Sequence, residues 1–255
     1  MVRWHLVVPA MTVSGGIRET LRLGKEMADQ GAQVDVLSMW RSDKPMPCAL
    51  PVEYLSDWKS SVSHALLCLP VLAARFARWL RAPARRRTAA SERFLFTHYA
   101  TLPLALFVPC ERRFFFVQDL EWKFIGNPHL SGMLRRMIMY FYRRGTLVSA
   151  NAYLTSSLAQ LGIPAALEAP IWADEDFLAP DSGPRDIDFA MMLRKGAHKR
   201  LDYYRSFIDL ARRDGNLKLA VISPEADLIA SVRGSVEVCL LRPSLEEMRA
   251  LYQRS

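Results

Sequence analysis

Two polar segments that could carry out chemistry stand at the ends of apolar stretches typical of β-strands. His98 directly follows residues 94–97, and residues 118–122 (Gln-Asp-Leu-Glu-Trp) close the stretch 113–118. A histidine at a strand end can act as an acid or base, or donate to a sugar hydroxyl or a phosphate. Paired acids beside a tryptophan suit a hydroxyl-rich substrate. The alternatives are a structural histidine and a capped turn whose Trp122 packs onto the sheet.

A third segment, Ser14-Gly15-Gly16-Ile17, lies between a predicted strand and a predicted helix. Glycines there let the backbone approach a ligand, and a helix N-terminus favours anions. The segment is not G-x-G-x-x-G, so a nicotinamide dinucleotide site is not indicated. A plain tight turn is the alternative.

A fourth segment, residues 194–200 (Arg-Lys-Gly-Ala-His-Lys-Arg), follows the strand predicted at 187–192. Ligands of open α/β sheets bind outside the carboxyl ends of the strands. Four cations beside a helix N-terminus therefore predict a diphosphate site, with an exposed basic loop as the alternative.

The chain is basic, with 34 Lys and Arg against 26 Asp and Glu and a net charge of +8. Such a balance is typical of contact with phosphates, polyanions or anionic membranes, although a solvated basic face has the same composition. Residues 65–87 predict either a membrane-surface segment or a core helix with a basic end. Nucleic-acid binding is not indicated, because the aromatic residues 114–116 lie in a predicted buried strand.

The four cysteines form no C-x-x-C pair and stand at no metal-ligand spacing from a histidine. They predict buried thiols in a reducing compartment rather than a zinc site. The longest apolar stretch, residues 65–74, is too short to span a bilayer, and the first residues do not have the pattern of a signal peptide.

Strands alternate with helices along the chain, which predicts a mostly parallel α/β sheet covered on both faces. Residues 164–184 are rich in proline, carry an acidic cluster and predict a linker. We therefore expect one Rossmann-like domain at 1–163 and a second α/β domain at 185–255. The predicted strands are at 4–8, 33–39, 94–97, 113–118, 147–150, 187–192, 217–222 and 236–241, and the predicted helices are at 17–30, 63–81, 133–144, 156–161, 199–213, 225–230 and from 244 onward.

Taken in order, these segments resemble the GT-B glycosyltransferases, particularly the large family 4 group. That family begins with a strand, a loop with a Gly-Gly pair and a helix. Its second domain opens with a strand leading to an arginine, four residues and a lysine, a spacing that Arg194 and Lys199 match. Residues 169–174 (Ala-Pro-Ile-Trp-Ala-Asp) and 244–252 are similar to its linker and to the segment before its nucleotide-recognition region.

A narrower resemblance is to the bacterial subgroup that includes rhamnosyltransferases of surface-polysaccharide synthesis. It is carried by residues 115–119 (Phe-Phe-Val-Gln-Asp) and 142–145 (Tyr-Arg-Arg-Gly).

The resemblance implies transfer of a hexose from a nucleotide-diphosphate sugar to a surface-polysaccharide or lipid-linked acceptor. Arg194 and Lys199 would bind the donor diphosphate and stabilise the negative charge that develops as it leaves. The resemblance implies no metal or other cofactor. The expected location is the cytoplasm, with peripheral contact at the inner face of the membrane.

In the first domain the resemblance assigns three further roles. Gly15 and Gly16 would line the cleft, His98 would contact the transferred sugar as a catalytic residue, and Asp119 is the catalytic candidate on the acceptor side.

One departure from the family concerns the end of the chain. The family places two glutamates seven residues apart later in its second domain, and the sequence stops at Ser255 before that position. We therefore expect an incomplete second domain with an unpaired sheet edge near residues 236–241. The alternative to an enzyme is a truncated, non-catalytic remnant acting as a binding or membrane-surface module.

Overall fold

The computed structural model describes residues 2–12, 14–43, 45–58, 65–82, 91–170, 185–195 and 200–255. The chain divides into two compact units, Met1–Ile171 and Trp172–Ser255. The strands of the first unit are β1 (Arg3–Ala10), β2 (Gln33–Trp40), β3 (Val52–Tyr54), β4 (Glu92–Phe96), β5 (Arg113–Val117), β6 (Thr146–Ser149) and β7 (Leu167–Glu168), and its α-helices are α1 (Gly15–Asp29), α2 (Ala65–Leu80), α3 (Pro128–Tyr142) and α4 (Ala152–Gln160).

The strands of the first unit form a parallel sheet in the order β3-β2-β1-β4-β5-β6-β7. The direction of strand progression reverses between β1 and β4, which pair directly. In sheets of this type that reversal leaves a crevice at the carboxyl ends of the two strands.

Helix α1 begins and ends where its sequence requires. The Ser14 side chain caps it by accepting a hydrogen bond from the Ile17 amide at 3.3 Å. Past its end, Gly31 has a φ of +89°, which favours glycine because a Cβ strains the left-handed conformation. The sharp turn lets β2 start at Gln33 and pair with β1 from its first residue.

An aromatic cluster fills the core beside helix α2. Phe76 of α2 is fully buried and contacts Phe94 of β4 edge to face, with ring centroids 6.1 Å apart. Phe94 in turn stacks on Phe96, which contacts Phe115 of β5. This packing favours a core helix over a membrane-surface segment for the part of residues 65–87 that is described. The arginines at 85–87 lie outside the described residues.

A buried charge cluster joins the amino ends of three strands. His5 of β1 is fully buried, and its Nδ1 hydrogen-bonds to Asp35 of β2. Its Nε2 lies 3.5 Å from a Glu92 carboxylate oxygen, a charge contact rather than a well-formed hydrogen bond. Burial acts to lower the pKa of His5, but the two carboxylates outweigh it and raise that pKa. Arg3 completes the cluster at 2.8 Å from Asp35.

The second unit contains β8 (Phe189–Met192), β9 (Leu219–Ser223) and β10 (Val238–Leu241), with helices α5 (Leu201–Asp214), α6 (Ala226–Val232) and α7 (Leu245–Gln253). The three strands are parallel in the order β10-β9-β8. Strand β10 is therefore an edge of this sheet among the described residues, where an edge was expected. Ser244 and Glu247 form a capping box at the start of α7, the helix predicted from residue 244 onward.

Three details differ from the sequence expectations. The first unit extends beyond residue 163, because β7 pairs with β6 inside the stretch expected to be linker. Strands β3 and β7 were not predicted, since runs of three and two residues show no periodicity. The expectation of buried cysteines is wrong for Cys110, which is exposed, while the other three thiols are half-buried.

Candidate functional site

A cavity of about 470 Å³ opens at the carboxyl ends of β1, β4 and β5, where the strand order reverses. Its volume lies in the range typical of small-molecule sites. Its polar side chains come from the ends of the strands and from the first turn of α1, and its apolar wall comes from α3 and the segment before it. Among the residues that line the cavity are Gly16, His98, Gln118, Asp119, Glu121, Phe124, Leu134 and Tyr142.

His98 is held at the rim by the turn that follows β4. It caps the 3-10 helix Tyr99–Phe107, because its Nδ1 accepts a hydrogen bond from the Ala100 amide at 3.1 Å. An acceptor at Nδ1 places the proton of the neutral ring on Nε2. Burial lowers the pKa of His98 to about 4, so the ring is uncharged at neutral pH. His98 can therefore donate an Nε2 hydrogen bond without carrying charge.

Glu121 faces His98 from the 3-10 helix Glu121–Phe124 that follows β5. Its Oε1 lies 3.7 Å from His98 Nε2, and its two carboxylate oxygens accept from the Tyr99 amide at 3.1 and 3.3 Å. Burial raises the pKa of Glu121 to about 8; the Tyr99 amide acts against this shift and the charge of Asp119 adds to it. At neutral pH the contact with His98 thus joins two uncharged groups and is not an ion pair.

A carboxyl with this pKa can exchange a proton with a bound substrate near neutral pH. Its ionised form is a stronger base than an ordinary glutamate, and its neutral form is a ready proton donor. The side chain is 18% exposed and lines the cavity, so a group bound there is in position to exchange a proton with it.

Gln118 ties the first turn of α1 to the end of β5. Its amide nitrogen donates to the Gly16 carbonyl and to the Thr20 hydroxyl, both at 2.9 Å. A Cβ on Gly16 would stand well inside 3.0 Å of the Gln118 side-chain oxygen, whereas a Cβ on Gly15 would meet nothing within 4 Å. Of the two glycines, Gly16 is the one that lines the cavity, and a side chain there would shift the Gln118 amide.

Asp119 stands at the mouth of the same cavity. It is exposed, and its Oδ1 accepts a hydrogen bond from the Leu120 amide at 2.8 Å. That bond is the capped turn considered from the sequence, and Trp122 is buried in the core. Asp119 therefore combines the structural role with a position from which it can meet a polar ligand.

The basic segment of the second unit is described only in part. Arg194 follows β8, is exposed and has no ion pair within the described ranges. Lys195 lies 2.7 Å from Asp227, and Arg200 lies 2.9 Å from Asp202, so two of the four cations already have carboxylate partners. Lys199 lies outside the described residues.

The structure brings Gly16, His98 and Asp119 together at one cavity, while Gly15 begins α1 without lining it and Arg194 belongs to the other unit. Glu121 belongs to the polar segment 118–122, but the residue predicted to be catalytic in that segment is Asp119. The one signal of Glu121 in the sequence was a position shortly after a predicted strand. The burial that changes its pKa depends on the packing of the 3-10 helices around it.

No family model matches the chain. No curated protein sequence matches it either.

Solved structures do match, at low sequence identity. Starch synthase IV from Arabidopsis thaliana, in a catalytic-domain structure with ADP and acarbose, is 12% identical with a TM-score of 0.62, covering 100% of this chain and 76% of that chain. The lipopolysaccharide outer core galactosyltransferase WaaB is 11% identical with a TM-score of 0.61, covering 100% and 71%. WaaG, a glycosyltransferase involved in lipopolysaccharide biosynthesis, is 12% identical with a TM-score of 0.59, covering 96% and 72%.

These neighbours are GT-B glycosyltransferases, and the chain has their fold. The α/β class with two Rossmann-like units predicted from the sequence is confirmed. The narrower placement in family 4 and in the rhamnosyltransferase-like subgroup stays a prediction.

No group of three or more His, Cys, Asp or Glu side chains that could hold a metal ion occurs in the part of the chain that the structure describes. No helix within those same residues is long and apolar enough to cross a bilayer.

Proposed function

We propose that the protein is a glycosyltransferase that moves a hexose from a nucleotide-diphosphate sugar to a surface-polysaccharide or lipid-linked acceptor. The observation that carries the proposal is the cavity at the strand-order reversal of a GT-B fold, where His98 and Glu121 meet. The ADP held by the starch synthase structure and the lipopolysaccharide roles of WaaB and WaaG support the donor and acceptor classes.

In the proposed reaction the acceptor hydroxyl binds in the cavity. As its oxygen forms a bond to the anomeric carbon, the bond from that carbon to the diphosphate oxygen breaks, and the diphosphate leaves with the electron pair. Ionised Glu121 takes the hydroxyl proton, and neutral His98 donates from Nε2 to an oxygen of the transferred sugar. Asp119 binds an acceptor hydroxyl at the mouth.

Arg194 and Lys199 are proposed to bind the donor diphosphate. Fixed cations stabilise the charge that develops on the leaving group, and an arginine can hold two phosphate oxygens at once. The exposed side chain of Arg194, which has no ion pair among the described residues, supports its part of this assignment. Neither a metal nor another cofactor is part of the proposal.

The proposed setting is the bacterial cytoplasm, at the inner face of the membrane, where such acceptors are assembled. Nucleic acid is not a proposed partner.

Isothermal titration with UDP-, GDP- and dTDP-hexoses tests the donor, and release of the nucleoside diphosphate in the presence of n-octyl hexosides tests transfer. We expect one nucleotide class to bind and Arg194→Gln to weaken that binding. Arg205→Gln, which removes an exposed arginine of α5, is the matched control. Donor binding without transfer to any acceptor would favour the non-catalytic binding module. Failure of all three donors to bind would overturn the donor assignment.

A further inference from the structure

The outer face of helix α3 carries an unusual combination of exposed side chains. Leu130, Met133 and Tyr140 are 51%, 65% and 45% exposed, and Arg136 and Arg143 are exposed beside them. At 100° per residue, Leu130, Met133, Arg136 and Tyr140 fall within about 120° of the helix circumference. Arg143 and Arg144 follow directly at the carboxyl end of the helix. We call these six residues the arginine face.

The arginine face has no acidic residue to neutralise it. Helix α3 contains no Asp or Glu, and the concavity along it is lined by Arg135, Arg136, Arg143 and Arg144 with no carboxylate. None of these four arginines has a carboxylate partner among the described residues. Arg144 donates to the Tyr140 carbonyl at 2.9 Å and lies 3.7 Å over the centre of its ring, which holds the guanidinium in place without cancelling its charge.

The basic surface continues to Lys123 of the 3-10 helix Glu121–Phe124, beside α4. Arg135 also lines a second concavity together with Lys123 and Tyr153, and no acidic residue lines that one either. Lys123 donates to the Tyr153 hydroxyl at 3.3 Å. The surface therefore offers five cations, far more positive charge than the roughly half negative charge of the dipole at the carboxyl end of α3.

The mixture of side chains selects among polyanionic partners. Transfer of the exposed Leu130 and Met133 side chains from water to the boundary between headgroups and acyl chains is favourable, and the arginines can pair with lipid phosphates. A single-stranded nucleic acid would instead need open aromatic faces, and the one aromatic ring of the arginine face, that of Tyr140, is covered by Arg144.

We propose that the arginine face binds an anionic phospholipid bilayer. Leu130 and Met133 enter the interfacial layer, and Arg136, Arg143 and Arg144 bind headgroup phosphates. The same helix contributes Leu134 and Tyr142 to the wall of the cavity, so docking would hold the cavity beside the bilayer, where a lipid-linked acceptor would be within reach. That last consequence rests on the proposed function, whereas the binding itself does not.

Co-sedimentation of the full chain with vesicles tests the surface without donor or acceptor. We expect binding to vesicles of 70% phosphatidylcholine and 30% phosphatidylglycerol, weaker binding in high salt, and little binding to pure phosphatidylcholine. The triple variant R136Q/R143Q/R144Q should bind about 100-fold more weakly, because each cation near an anionic surface contributes a factor of roughly five. The variant R136K/R143K/R144K keeps the charge and should bind like the wild type.

The matched control is R205Q/R212Q/R213Q, which removes three exposed arginines of α5 and lowers the net charge equally. It should retain vesicle binding, and L130S/M133S should reduce it at unchanged charge. The proposal is overturned if both triple Gln variants lose binding alike, or if the wild type ignores anionic vesicles while binding RNA. Vesicle binding by a chain that transfers no sugar would support the surface and refute only the proposed enzyme activity.

Discussion

Glu121 should make the stability of the first unit depend on pH in a way that a single isosteric substitution removes. Its pKa rises from 4.5 to about 8 because of burial. Ionising it in the folded state therefore costs up to about 5 kcal/mol, at about 1.4 kcal/mol for each pH unit between the two values. Because the folded pKa is the higher one, the free energy of unfolding is highest below pH 4.5, where Glu121 is neutral in both states. It falls by this amount as the pH rises through the folded pKa of about 8.

The substitution Glu121→Gln keeps the shape and the acceptor oxygen for the Tyr99 amide but cannot ionise. In urea denaturation between pH 5 and pH 9, the wild type should lose several kcal/mol of unfolding free energy relative to the variant. The exposed Glu111→Gln variant should follow the wild type. If wild type and Glu121→Gln show the same pH dependence, Glu121 does not titrate as its burial requires, and its assignment as the proton acceptor fails with it.

The same variant separates stability from activity. In transfer assays the wild-type rate should rise with pH up to about 8, as the carboxylate forms. Glu121→Gln should lower kcat by about 100-fold or more and abolish that rise, with a smaller effect on KM. If Glu121→Gln changes the pH dependence of stability but transfers sugar at the normal rate, Glu121 is a buried carboxyl that takes no part in the reaction.

Three further outcomes follow from other contacts. Gly16→Ala should leave the first unit about 1 kcal/mol less stable than Gly15→Ala in urea denaturation, because its Cβ shifts the Gln118 amide that makes two hydrogen bonds, whereas the space at Gly15 is open. His5→Gln should destabilise by about 3 kcal/mol, because it removes the imidazole that lies between the Asp35 and Glu92 carboxylates. Since the folded pKa of His5 is raised, that difference should be largest below pH 6.5 and shrink as the pH rises above it, as denaturation at several pH values would show. Arg194→Gln should weaken donor binding by about 10- to 100-fold in titration calorimetry, and an unchanged affinity would remove Arg194 from the diphosphate site.

The sequence by itself determined the alternation of strands and helices, because buried parallel strands are short apolar runs and surface helices show a helical period. It also predicted His98 and Asp119 after β4 and β5, because in a parallel sheet all carboxyl ends meet at one edge. The sequence did not predict strands β3 and β7, because segments so short are strands only when a neighbouring strand supplies their hydrogen bonds.

Only the tertiary structure decided which of the polar residues has unusual chemistry. Asp119 and Glu121 differ by two positions and look alike in the sequence, yet one is exposed and the other is buried against the Tyr99 amide and His98. The pKa of Glu121 follows from that burial, which is produced by residues distant in the chain. Likewise, the arginines on and after α3 indicate a membrane-binding surface only because the folded helix exposes Leu130 and Met133 beside them.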